Sequence, residues 1–327
     1  MTESAVDRGP ILVWGAGAIG GTVGAHLVRA RHAVVFVDIV AEHVAAVADP
    51  ARGLVIEGPV ASFRIHAPAH TPETLRGIYR RVFLCVKTHD TEAAGRDLLP
   101  HLAPDGYVLS LQNGLCERVI AEICGPHRTM GAFVNFGADW LGPGRVLYGN
   151  RGAVVVGELD GATTPRAAAL HALLRDTFEP DAVLTGNIWG YLWGKLAYGA
   201  MLFATALTTD SMTANFADPR RFPVFDALGR EVMAVAKARG VTPIGFNGFD
   251  PEVFAPGAPE SGTRASIAAL AEFNRHTAKT HSGIYRDLAV RKRKTEVDPQ
   301  IGVIGRLGAE VGVPTPAIDR LVALIHD

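Results

Sequence analysis

The sequence predicts an α/β protein in two parts: a sheet domain over residues 1–183 and an all-helical domain over 184–327. Three observations predict it. A short apolar run, Ile11 to Trp14, passes directly into the glycine-rich stretch GAGAIGG and then into a helical segment. Further short apolar runs of β character recur up to about residue 180. From Asn187 onward the apolar pattern becomes helical throughout.

The first element is the run Ile11–Trp14, and the turn after it carries Gly15, Gly17 and Gly20 in the spacing G-x-G-x-x-G. An Ala/Leu/Val-rich helical segment, with Ala18 and Ile19 at its start, continues to about Arg31. AVVFVD then gives a second strand that ends in Asp38. Strand, glycine turn, helix, strand and acid in this order form the context that makes the motif a dinucleotide-binding signature. Gly15 permits the tight turn, Gly17 lets the backbone approach a pyrophosphate, and Gly20 lets the helix pack on the strand. The helix N-terminus presents free N–H groups and a favourable dipole to the phosphates.

Asp38 bears on the choice of cofactor. A carboxylate there can accept hydrogen bonds from the ribose hydroxyls of NAD and repels the 2′-phosphate of NADP. The residues after it, IVAEHV, add no Arg or Lys, so NAD is favoured. The same residue could instead cap a helix starting near Val40. Next, Val82 to Val86 reads as a buried strand ending in Lys87, and YVLSLQNG (107–114) as another ending in Gln112-Asn113-Gly114. Ligands of open parallel sheets bind beyond the carboxyl ends of the strands, which makes Lys87 and Asn113 candidates. Alternating runs such as GAVVVGEL (152–159) suggest that antiparallel strands complete the sheet.

The second part shows helical periodicity at 187–209, 221–239, 262–280, 299–311 and 316–326, with a Pro-, Gly- and Phe-rich loop at 243–261. A boundary near 180–186 makes the cleft between the domains the expected ligand site. The first helical segment contains WGKLAYGA, in which Lys195 is the only charged residue between Asp181 and Asp210. Tyr191 and Gly199 share its face at i−4 and i+4, and Gly199 leaves room beside it. A lysine in so apolar a stretch either has a partner and a task or snorkels to the surface. The stretch alone leaves both readings open.

Composition narrows the function classes. The chain has 327 residues, 48% hydrophobic and 20% charged, with a net charge of -1, so nothing marks a nucleic-acid binder. The basic run Arg291 to Lys294 sits beside Glu296 and Asp298 and reads as a solvated face. Three cysteines, Cys85, Cys116 and Cys124, fit no zinc spacing. No metal is expected. Cys85 reads as a packed thiol, and reduced cysteines suit a cytoplasmic protein. The polar start MTESAVDRGP lacks the apolar core of a signal peptide. Residues 188–207 are long and apolar enough for a membrane test, but Lys195 interrupts them, and a helix buried by its neighbours is the expectation.

GAGAIGG, VK at 86–87, LQNG at 111–114, WGKL at 193–196, KTEVD at 294–298 and GVPTP at 312–316 follow one another in order. Together they resemble the ketopantoate reductase family (2-dehydropantoate 2-reductases). The resemblance implies a Rossmann domain followed by a helical domain, and hydride transfer between the nicotinamide and a small 2-oxo acid. It places the family's catalytic lysine at Lys195 and its active-site glutamate at Glu296. Asn113 would orient substrate or nicotinamide, and Lys87 would lie near the cofactor.

Departures from the family pattern point to a different substrate. Two asparagines that follow the family's lysine are here Gly199 and Phe203. A serine pair is reduced to Ser282, and His276, His281, Tyr285 and Arg286 appear nearby. Arg286 could clamp a carboxylate bidentately. His281 could be a second acid or base. Gly199, Phe203, Ser282 and Arg286 are thus the substrate candidates. The expectation is an NAD-linked oxidoreductase of a small polar oxo or hydroxy acid. The alternatives are a true 2-dehydropantoate 2-reductase with contacts moved to Tyr198, Asn274 or Ser282, a non-catalytic NAD sensor, and an opine- or imine-forming dehydrogenase. The apolar helix could also serve a homodimer.

Overall fold

The computed structural model describes residues 9–327 apart from 247, 277–279 and 293. The N-terminal stretch 1–8 and Arg293 of the basic run lie outside the described residues. The fold divides into two units, one ending at Ile188 and the other running from Trp189 to Asp327.

The first unit is built on an eight-stranded sheet. In chain order its strands are β1 (Ile11–Trp14), β2 (Val34–Val37), β5 (Ala69–His70), β6 (Tyr79–Leu84), β7 (Leu102–Ser110), β8 (Thr129–Val134), β11 (Val154–Glu158) and β12 (Val183–Leu184). Their order across the sheet is β12-β11-β8-β7-β6-β1-β2-β5. From β5 to β8 every pairing is parallel, and β11 joins β8 antiparallel. Chain order runs outward from β1 in both directions, so the switch point lies between β1 and β6, where ligands of such sheets bind. Helices α1 (Ala18–Arg29), α2 (Ala41–Ala48), α3 (Thr91–Leu98), α4 (Cys116–Cys124) and α5 (Pro165–Thr177) make the connections.

A second sheet was not foreseen. β3 (Leu54–Glu57), β4 (Phe63–Ile65), β9 (Gly137–Gly142) and β10 (Arg145–Asn150) form it in the order β4-β3-β10-β9. Of the run expected to complete the main sheet, only β11 is an antiparallel member, while β9 and β10 leave for the second sheet. Helix α1 lies between the two. A Cβ added at Gly24 would stand 2.4 Å from the Phe36 ring of β2, and one at Gly21 would stand 3.2 Å from Val146 of β10. Residues Gly20 to Leu27 are accordingly all buried, although an ordinary surface helix keeps one polar face.

The second unit is helical: α6 (Ile188–Thr205), α7 (Met212–Ala217), α8 (Phe222–Ala238), α9 (Glu260–Arg275), the short α10 (Gly283–Tyr285), α11 (Val303–Glu310) and α12 (Pro316–His326). Wider helical turns cover Arg286–Val290 and Asp298–Gly302. α7 falls between two of the expected helical segments, and Pro251–Phe254, inside the expected loop, is a tight helical turn. No residue of α6 is exposed, as a helix buried on most sides requires. Among the described residues no helix is long and apolar enough to cross a membrane. The GVPTP stretch leads into α12, whose first amides, Ala317 and Ile318, donate to the Glu231 carboxylate of α8 at 2.8 and 2.9 Å. That bond satisfies two of the orphan donors of a helix start. In the basic run, Arg291 pairs with Asp287 at 3.2 Å and Lys292 and Lys294 are exposed.

Candidate active site

β1 ends at Trp14 and the chain turns at Gly15, whose φ is +95°. A Cβ there would stand 2.8 Å from the Val86 amide nitrogen, because the turn is pressed against the chain leaving β6. Gly20 is tighter still: its Cβ would lie 2.0 Å from the Gly15 carbonyl oxygen and 2.9 Å from both Cys85 Cβ and Val13 Cγ1. Gly17 differs from both. It is the N-cap of α1, and among the described residues no side chain caps that end and an added Cβ would meet nothing within 4 Å. The helix thus opens, with Gly17, Ala18 and Ile19 half-buried, onto empty space that a methyl group would enter. A backbone cradle at the positive end of a helix fits the pyrophosphate of a dinucleotide.

Asp38 follows β2 directly. Its Oδ2 accepts from the Ala16 amide at 2.9 Å and its Oδ1 from the Val40 amide at 3.0 Å. It therefore supports the start of α2 and also ties the glycine turn to the end of β2. Each carboxylate oxygen keeps a second lone pair for another donor. Ile39 and Val40 beside it are apolar and exposed.

Lys87 and Asn113 both stand exposed beyond neighbouring strand ends. The residue that joins those ends is Gln112, which sequence reading passed over. Its side-chain amide donates to the Val86 carbonyl at 2.9 Å and to Thr91 Oγ1 at 2.8 Å. Glu117, in the first turn of α4 and 0% exposed, was also passed over. A glutamate in a polar first turn gives no signal of burial. The Cys85 thiol is packed as expected, and burial raises its pKa far above the ordinary thiol range.

In the helical unit Lys195 is half-buried on α6. A Cβ at Gly199, one turn on, would meet nothing within 4 Å among the described residues, which is the room that the spacing suggested. The helix is anchored at Gly194, where a Cβ would stand 2.1 Å from the Ile244 carbonyl oxygen. Tyr198 hydrogen-bonds Asn274 and burial raises its pKa. Phe203, 1% exposed, packs into the fold. Ser282 Oγ accepts the Tyr285 amide at 3.1 Å and so caps α10. Arg286 is half-buried. His276 pairs with Glu272 at 2.8 Å on α9, while His281 lies on the Tyr285 ring at 4.4 Å and reaches the Thr209 carbonyl at 3.1 Å. Glu296 is half-buried between buried Thr295 and Val297.

Residues 11–161 match the family described as ketopantoate reductase PanE/ApbA, and residues 187–327 match its C-terminal domain. The curated 2-dehydropantoate 2-reductase of Archaeoglobus fulgidus is 27% identical over 327 residues, covering 97% of this chain and 96% of the relative. A solved PanE/ApbA family ketopantoate reductase from Ralstonia eutropha JMP134 superposes with a TM-score of 0.80 at 28% identity, over 97% of both chains. D-mandelate dehydrogenase, solved with NADH and anilino(oxo)acetate, superposes with a TM-score of 0.81 over 97% of both chains. At 23% identity that likeness is one of fold.

Proposed function

This chain belongs to the ketopantoate reductase family of NAD(P)-linked oxidoreductases, and from that premise we propose that it uses NAD to interconvert a small polar 2-oxo acid and its 2-hydroxy acid. Lys195 is the proton-transfer group. The observation that carries the reading is the setting of that lysine: the one cation of an apolar helix, half-buried, one turn from the open volume at Gly199.

The bound nicotinamide supplies or accepts the hydride. Lys195 hydrogen-bonds the substrate oxygen, donates a proton as the alkoxide forms, and takes it back in the oxidative direction. Glu296 serves as its carboxylate partner toward a substrate hydroxyl. Asn113 and Lys87 act at the strand ends, and Arg286 takes the substrate carboxylate. NAD is preferred because Asp38 keeps acceptor capacity for ribose hydroxyls while residues 39–51 contain no Arg or Lys to neutralise a 2′-phosphate. Ile39 and Val40 offer the adenine an apolar face. With Gly199 and Phe203 in place of two asparagines, the site lacks polar groups that would reward ketopantoate's hydroxyl. Such losses change selectivity by about 10⁴-fold where a site is built around the bond.

A second reading, a true 2-dehydropantoate 2-reductase, draws support from the Tyr198–Asn274 hydrogen bond, a polar pair next to Lys195 on α6. Rates decide between them. NADH and NADPH oxidation with ketopantoate are measured first, then NAD reduction across a panel of small 2-hydroxy acids. Fast ketopantoate turnover supports the second reading. Slow ketopantoate turnover with brisk, NAD-dependent oxidation of another hydroxy acid supports the first. Lys195→Ala should lower kcat by at least about 10²-fold with NADH binding retained. Unchanged kcat would remove Lys195 from the mechanism.

A further inference from the structure

Ala16, between the first two glycines of the turn, has both its backbone groups held by side chains. Its N–H donates to Asp38 Oδ2 at 2.9 Å. Its carbonyl lies 2.8 Å from Nε2 of His43, a residue of α2 that is 1% exposed. The other ring nitrogen of His43, Nδ1, lies 2.9 Å from the Gly144 amide nitrogen. Gly144 belongs to the Pro143-Gly144 turn between β9 and β10, and the Trp140 ring of β9 meets His43 edge-on with centroids 6.2 Å apart.

These partners assign the tautomer. A backbone carbonyl can only accept, so Nε2 carries the hydrogen. A backbone N–H can only donate, so Nδ1 is bare. His43 is then a neutral, fully satisfied linker between the glycine turn and the second sheet, joining residues 27 positions before it and 101 after it. The far anchor is itself fixed. The Gly144 carbonyl accepts from the Val55 amide of β3 at 2.8 Å. Gly144 has φ +74°, and a Cβ there would stand 2.8 Å from Ala46 Cβ of α2.

The consequence falls on Gly17. In a trans peptide the C=O and the following N–H point in opposite directions. Holding the Ala16 carbonyl toward α2 turns the Gly17 N–H away from α2. Gly17 is the glycine of the motif beside which space is open. We propose that His43 is a positioning residue for the dinucleotide: as the Nε2–H tautomer it fixes the Ala16–Gly17 peptide and so aims the Gly17 N–H at the pyrophosphate. The inference rests on the reading of the glycine turn as the dinucleotide site.

Two conservative variants separate the two bonds. His43→Gln can place an N–H donor near the Nε2 position, and His43→Asn can place an acceptor near the Nδ1 position. Affinities for NADH and for ADP-ribose, which retains the pyrophosphate, are measured by titration calorimetry on the full chain. kcat is read at saturating cofactor. His43→Asn should bind both ligands about tenfold more weakly, as expected for loss of one to two hydrogen bonds, with kcat within about twofold. His43→Gln should recover most of the affinity. Equal affinities for His43→Asn and the parent, or equal losses in both variants, overturn the assignment. The parent protein gives a second test in its ¹⁵N imidazole spectrum at neutral pH. A protonated Nε2 supports the clamp, and a protonated Nδ1 overturns it whether or not either variant folds. A parent that binds neither NADH, NADPH nor ADP-ribose, yet shows the Nε2–H tautomer, would instead sink the dinucleotide reading and the proposal with it.

Discussion

Alanine at Gly17 and alanine at Gly20 should fail in opposite ways, although they add the same methyl group three residues apart. At Gly20 the methyl would lie 2.0 Å from a backbone oxygen and 2.9 Å from two side-chain carbons. The oxygen belongs to Gly15, which is itself wedged against Val86, so neither side can yield cheaply. Overpacking of this kind costs about 3 kcal/mol. For a unit of this size each kcal/mol lowers Tm by roughly 2–4 °C, giving a fall of about 6–12 °C. At Gly17 the methyl meets nothing within 4 Å. The loss of a favourable N-cap residue is offset by the smaller entropy of the unfolded chain, so stability should change by no more than about 1 kcal/mol. The methyl instead occupies the space before the helix, where charge-assisted bonds of about 1.5–3 kcal/mol would form. Losing one of them weakens NADH binding at least about tenfold. Differential scanning calorimetry and NADH titration on both variants test the pair. A Gly17→Ala protein that melts early but binds NADH normally, or a Gly20→Ala protein with an unchanged Tm, would refute the division of labour.

Other substitutions probe the rest of the site. Asp38→Asn should lower the ratio of kcat/KM for NADH over NADPH by about tenfold or more, since it removes the charge that opposes a 2′-phosphate. An unchanged ratio would detach Asp38 from cofactor choice. Phe203→Asn should cost about 3–5 kcal/mol in chemical denaturation through lost packing, whereas Gly199→Asn should fold normally and raise kcat/KM for ketopantoate by about tenfold. No kinetic change at Gly199 would place the substrate elsewhere. His26, on α1, hydrogen-bonds the Thr22 carbonyl at 2.8 Å, and burial lowers its pKa below 6.5. A depressed histidine favours the neutral form in the fold, so its contribution is present above about pH 6.5 and lost as pH falls through the lowered value. Urea midpoints should therefore drop from pH 7.5 to 5.5, and drop less in His26→Phe; equal slopes would rule His26 out as the cause.

Local patterns were legible and distant pairings were not. The glycine turn, β1, β2 and Asp38 form one continuous stretch whose spacing has a mechanical reason at each position. The apolar α6 likewise announced its own burial. The second sheet gave no such signal. Its strands are three to six residues long, and the parallel pairing of β3 with β10 joins Val55 to Arg145. Short strands that meet across so long a separation leave no periodicity to read. The strand expected at 82–86 ends earlier, at Leu84, because Cys85 and Val86 leave the sheet to wall the Gly15 turn. Histidine roles were the least legible. His43 looks like one polar position on a short helix, and only the fold reveals its two partners. Ser282, a substrate candidate, and the nearby His276 have local partners that only the fold shows: the first caps α10 and the second pairs with Glu272.

The enclosure of α1 between two sheets also sets an order of assembly during synthesis. The glycine turn precedes the rest of its unit in the chain, yet β9 and β10, which cover part of the outer side of α1, and the Gly144 amide that closes the His43 linkage, are made more than a hundred residues after it. At about 5–20 residues per second, Gly20 waits roughly 6 to 25 s for β10. Through that interval β3 and β4, with Phe63 against His26, can cover only part of the outer face of α1, and the glycine turn takes its final form only once β9 and β10 complete the second sheet.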